Sequence, residues 1–139
     1  MPIVWSDKFV IGIEKLDEQH RGLIDALNRL EEAIRTGEDP AVASQTLDLI
    51  ESCASEHFAY EEACMDAARC PAAETNRLCH EAFIRAFGRV REEFERDGPT
   101  PRLLVSIQLN LVSWAVHHIG GVDCPLREYA GRLREPQTA

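Results

Sequence analysis

A chain of 139 residues with a net charge of -9 and a pI near 5.0 is read as one domain, long enough to bury a core without staples. The negative charge repels phosphate backbones and anionic headgroups, and the fifteen basic residues form no stripe, so neither nucleic acid nor a membrane surface is an expected partner. No apolar run reaches the roughly 18 residues of a membrane span, and Met1 to Lys8 lacks the features of a signal peptide, so a cytoplasmic location is expected.

Eight glycines, seven prolines and few β-branched runs point to an all-α fold. Residues 1–15, with Trp5 and Phe9, read as an ordered arm, residues 16–119 as a bundle and residues 120–139 as a short C-terminal segment. The first helix is predicted to open near Asp17, with Leu16, His20, Leu23, Leu27, Leu30 and Ile34 forming its apolar seam. Gly37 breaks the chain, and Asp39 and Pro40 suit the start of a second helix, whose seam is Ala43, Leu47, Ile50, Ala54, His57, Glu61 and Cys64. After Pro71 the same period runs through Asn76, His80, Phe83, Phe87, Val90 and Phe94, and stops at Asp97 and Gly98. Thr100 and Pro101 open a fourth helix with the seam Leu104, Ile107, Leu111, Trp114 and His118, ended by Gly120 and Gly121.

Short connections make successive helices antiparallel, so the expected architecture is an up-down-up-down four-helix bundle forming one domain over residues 1–139. In that topology His20 and His80, near helix starts, meet His57, Glu61 and His118, near helix ends. Asp123 follows just beyond the last glycines. A single buried histidine is most simply a satisfied core residue, but four of them on four seams at one end are better explained by ligation.

His57 and Glu61 are one turn apart, about 6 Å of rise, so both point to one place in the core. A carboxylate there costs several kcal/mol unless a cation or donors compensate it. Glu61 and Asp123 would bring negative charge and the imidazoles none, which suits a pair of metal ions. The donor chemistry admits iron, manganese or zinc.

Five cysteines (Cys53, Cys64, Cys70, Cys79 and Cys124) include no Cys-x-x-Cys pair and are read as free thiols. Cys64, Cys79 and Cys124 adjoin the site in sequence, which keeps a thiolate ligand or redox pair open as a minor alternative. His117 is turned about 100° from His118 and is read as a surface residue or one backing the site, with replacement of a ligand as a minor alternative; Glu62, Arg77 and Glu81 are read as surface.

The chain resembles the bacterial hemerythrins. The resemblance runs from Trp5 through Gly12-Ile13 and Leu16-Asp17-Glu18-Gln19-His20 to His57-Phe58-Ala59-Tyr60-Glu61-Glu62 with Met65, then His80, Trp114 to His118-Ile119, and Asp123. It implies a nonheme di-iron centre that binds dioxygen. His20 and His57 would serve one iron, His80 and His118 the other, with Glu61, Asp123 and an oxo or hydroxo group as bridges. Ferritin-like di-iron oxidases instead use Glu-x-x-His elements, and no histidine here has Glu three residues before it.

Two positions depart from the family pattern. Asn76 replaces the first histidine of a His-x-x-x-His element, which leaves one metal a ligand short. An exogenous ligand such as water, the Asn76 oxygen, or another protein group would take that place. Ala115 stands where a larger apolar residue is usual, so Trp114, Ala115 and Ile119 are expected to wall an open ligand pocket. The implied function is binding of dioxygen or a related diatomic for carriage, storage or sensing, with a separate signalling or redox partner for a sensor. The alternatives are a di-iron enzyme acting on peroxide or nitric oxide, and a single-metal or degraded site.

Overall fold

A computed structural model describes residues 2–119, so the C-terminal segment, Asp123 and Cys124 lie outside the described residues. Helix α1 spans Glu14–Arg35, α2 Pro40–Ala68 and α3 Ala73–Asp97. The fourth bundle helix is composite: α4 (Pro101–Ile107), a π-helical turn (Gln108–Val112) and α5 (Ser113–His117). The connections, residues 36–39, 69–72 and 98–100, are short, and the helices pack as an up-down bundle.

The seams predicted for α1 and α2 are buried throughout, and that of α3 is buried except for the half-buried Phe94. Leu16, Leu27, Leu30, Leu47 and Ile50 have no exposed surface, and each such side chain contributes about 1.5–3 kcal/mol by leaving water. Helix starts follow the expected chemistry. The Asp39 carboxylate accepts from the Ala41 N–H (2.8 Å) and the Thr100 hydroxyl from the Leu103 N–H (3.0 Å), each with proline in the first turn. Helix α3 ends at Gly98, whose φ of +73° is a conformation that glycine adopts without the clash of a Cβ.

Two details differ from expectation. Helix α1 begins at Glu14, earlier than Asp17, because the Asp17 carboxylate works backwards on the arm. It accepts from the N–H groups of Ile11 (2.8 Å) and Gly12 (3.1 Å), fixing the entry to a helix whose N-cap, Ile13, has no acceptor of its own. The arm itself is ordered: Phe9 is buried, and Ile3 exchanges two 2.8 Å hydrogen bonds with the Asn28 side chain.

The fourth helix buries Leu103, Ile107, Leu111, Ala115 and Ile119, while Leu104 and Trp114 are only half-buried. A seam in steps of four outruns an α-helix of 3.6 residues per turn, and the wider π turn at Gln108–Val112 absorbs the difference. The expected seam through Leu104 and Trp114 is thus corrected by one residue at each of those points.

The core has two parts. A large cluster fills most of the bundle, and a smaller one comprises Ile11, Ile13, Leu16, Tyr60, Cys64, Met65 and Cys70. His20 lies between Leu16 of the smaller and Leu23 of the larger cluster, and Glu61 lies between Phe58 and Cys64. The polar site therefore occupies the junction of two apolar masses.

Candidate metal centre

The histidines arrive from four helices. His20 comes from α1, His57 with Glu61 from α2, His80 from α3, and His118 immediately follows α5. All five side chains are at most 2% exposed. Helix α2 carries the centre of the arrangement because the one-turn spacing of His57 and Glu61 sends both inward from the same seam.

Each Glu61 oxygen faces two imidazoles. Oε2 lies 3.3 Å from His20 Nε2 and 3.1 Å from His57 Nε2. Oε1 lies 3.0 Å from His80 Nε2 and 3.2 Å from His118 Nε2, and those two nitrogens are themselves 3.2 Å apart. Donors held at about 2.1 Å around one ion and at right angles stand about 3 Å from one another. The two groups, His20–His57–Glu61 and Glu61–His80–His118, have the spacing of two adjoining cation sites that share one carboxylate. Asp123, the second expected bridge, is outside the described residues.

Electrostatics agree with this arrangement. Burial pushes the Glu61 carboxyl upward, but the charge interaction with His57 and hydrogen bonds from His118, His20 and His57 outweigh it and hold the group well below the usual carboxylate range. An anionic oxygen pair inside a nearly dry ring of neutral or donating imidazoles is a setting that cations stabilise. The donor set fits a metal pair.

The outer nitrogens are oriented from behind. His57 Nδ1–H donates to Gln19 Oε1 (3.0 Å), and His80 Nδ1–H donates to Glu62 Oε2 (3.1 Å). With one proton held on Nδ1, loss of the proton at Nε2 would leave that lone pair facing inward, as ligation requires. Aromatic rings back two of the imidazoles. Phe58 stacks on His80, and Trp114 stacks on His118 with centroids 4.4 Å apart and planes 14° from parallel. The Trp114 indole N–H is anchored on the Cys79 carbonyl (3.0 Å).

A model of the hemerythrin HHE cation binding domain matches residues 11–123. The chain belongs to the hemerythrin family. It is 31% identical to a bacteriohemerythrin of Stenotrophomonas maltophilia over 95% of this chain and 82% of that protein. It is 30% identical to a bacteriohemerythrin of Pseudomonas aeruginosa over 87% of this chain and 76% of the relative. Similarity extends to a myohemerythrin of Theromyzon tessulatum, at 26% identity over 95% and 94% of the two chains.

In this hemerythrin domain, Asn76 is fully buried one turn before His80 on α3. Ala115 and Ile119 are buried in the main core, against which the half-buried Trp114 packs. His117 is exposed, as its one-step offset predicts. Glu62 corrects the sequence reading: it is half-buried and holds His80, rather than belonging to a solvated face. Its other oxygen pairs with Arg77 at 3.4 Å, and Arg77 also reaches Glu74 and Asp66. Gln19, quoted only as part of a motif, likewise has a specific role behind His57. Its sole sequence signal was adjacency to a seam histidine.

Cys64 and Cys70 are buried in the smaller apolar cluster, and Cys53 and Cys79 are half-buried. Burial, and then the charge of Glu56, push the Cys53 thiol upward, away from the thiolate form. Tyr60, buried beside Glu61 in sequence, packs in the same small cluster with the Lys15 ammonium 4.3 Å from its ring centre. Among the described residues no helix is long and apolar enough to cross a membrane.

Proposed function

We infer that this hemerythrin domain holds two iron ions and, through them, reversibly binds dioxygen or a related diatomic ligand for carriage, storage or sensing. The observation that carries the reading is the split of Glu61, each of whose oxygens faces its own pair of imidazoles. His20 and His57 would hold one ion and His80 and His118 the other, with Glu61 and Asp123 as the protein bridges and an oxo or hydroxo group from solvent between them. Bound there, the metal pair supplies the redox-active seat for a diatomic molecule. The choice of iron over manganese or zinc follows the family, since the donors accept all three.

The protein's own work is to prepare that seat. Gln19 and Glu62 keep the Nδ1 protons outward, and Glu61 stays ionised in the core. Phe58 and Trp114 cover the rings of His80 and His118 and keep water from them. Asn76 leaves the His80–His118 ion with two protein imidazoles, as many as the His20–His57 ion has, so both ions would keep open positions. This favours a second reading, in which the centre turns over peroxide or nitric oxide as an enzyme.

Metal analysis with oxygen binding tests both readings. The purified chain is expected to contain two irons and, once reduced, to form a coloured adduct with dioxygen that vacuum reverses. Fewer than two metal equivalents would overturn the paired site, and steady turnover of peroxide or nitric oxide without a reversible adduct would favour the enzyme. Asn76→His is expected to retain iron better and autoxidise more slowly; no change in either would refute an open position on that ion.

A further inference from the structure

Asn76 is 0% exposed, and neither its amide oxygen nor its amide nitrogen has a hydrogen-bond partner among the described residues. A primary amide carries two donors and an acceptor, and burying it unsatisfied is costly, whereas leucine fills the same volume with no polar debt. The amide lies one helical turn from His80, on the face of α3 that carries the seam. His80 Nε2 is itself 3.0 Å from Glu61 and 3.2 Å from His118. The unsatisfied amide thus shares a face with an imidazole expected to hold one of the two cations.

We propose that Asn76 seats a small exogenous anion, of the hydroxide or azide class, on the cation held by His80 and His118, with the amide N–H donating to the anion. The inference rests on the cation-pair reading above. Its chemistry follows from charge and from donor type. Two neutral imidazoles with shares of Glu61, Asp123 and a hydroxo bridge bring fewer negative charges than a divalent or trivalent ion carries, and the surplus positive charge favours an anion over water. A neutral amide oxygen is a weak metal ligand, but an amide N–H is a good donor to an anion, and a hydrogen bond to a charged acceptor is among the stronger ones. Histidine at this position would take the coordination place itself; asparagine, being shorter, leaves that place to a small ligand and keeps a donor beside it.

The test uses the full chain loaded with cobalt(II), comparing the unaltered protein with Asn76→Leu and Asn76→His. Cobalt per chain is read by elemental analysis, and azide is titrated while the visible spectrum of the metal and the binding heat are followed. The unaltered chain is expected to hold two cobalt ions and to show an azide-binding phase that Asn76→Leu weakens about tenfold or more with the cobalt count unchanged. In Asn76→His that phase is expected to vanish, while azide binding at the His20–His57 ion remains. Equal azide affinity in Asn76→Leu and the unaltered chain would overturn the proposal, as would loss of one cobalt from Asn76→Leu, which would make the amide itself a ligand. If Asn76→Leu does not fold, as judged by circular dichroism, an azide stoichiometry in Asn76→His equal to that of the unaltered chain is the overturning result. Fewer than two cobalt ions in the unaltered chain would instead remove the cation-pair reading.

Discussion

The ring of Phe58 lies flat on the imidazole of His80, with centroids 3.9 Å apart and planes 15° from parallel. Phe58 also meets Phe83 and Trp114 edge-on, so one side chain of α2 links the main core to an imidazole of the site. Phe58→Ala is expected to cost about 3–5 kcal/mol in urea unfolding, as other large-to-small core changes do. Phe58→Leu should recover most of that stability yet still weaken the His80–His118 cation in a metal titration. Wild-type metal affinity in the leucine variant would show that the stack fills space without orienting the imidazole.

Glu62 is expected to matter through His80. Replacing it with Leu removes the acceptor on Nδ1 and should lower affinity for a cation held by His80 by about 10–100-fold, the usual cost of losing an outer partner of a ligating histidine. Glu62→Gln keeps an acceptor and should lose less. Its ion pair with Arg77 is half-exposed and contributes little stability, about 0–1 kcal/mol. Competition with a graded chelator separates the variants, and equal affinities in all three proteins would exclude the role assigned to Glu62.

Because Glu61 is held well below the usual carboxylate range in the folded state, its contribution to stability is complete above the unfolded value of about 4.3 and is lost as pH falls through the folded value. The metal-free chain should therefore lose stability as pH drops below about 4, and Glu61→Gln should have a shallower acid limb. Urea unfolding of both proteins between pH 3 and 6 measures this. Parallel curves would contradict it.

Leu103 and Leu104 separate the two descriptions of the fourth helix. A seam of alternating threes and fours selects Leu104, but Leu103 is the one with no exposed surface. Leu103→Ala is expected to cost about 2–5 kcal/mol and Leu104→Ala clearly less. The reverse order in thermal or urea unfolding would place the register where the regular pattern puts it.

The first three helices were legible because each seam is a nearly uninterrupted run of apolar residues, broken only by the polar groups of the site. His20, His57, Glu61, His80 and His118 stood out for that reason: they are polar residues on faces that are otherwise dry. The fourth helix was misread at Leu104 and Trp114 because a π turn leaves no compositional mark; only the burial of Leu103 and Ala115 exposes it. Glu62 and Gln19 escaped notice for a different reason. Each stands one residue from a seam position, about 100° around its helix, where charged and amide side chains normally face solvent. Asn76 was visible as a departure from the family pattern, whereas its unsatisfied amide appears only once the burial and partners of that side chain are known.

The π turn has a consequence for tolerance to change in chain length. Deleting one residue within Gln108–Val112 would shorten one of the four-residue burial steps from Leu103 onward to three, letting the segment relax to a regular α-helix with His118 still facing inward. The same deletion between Ser113 and His117 would swing His118 about 100° away from Glu61. The surplus residue is a local slack, and natural variants that gain or lose it there can keep their inner imidazole in place.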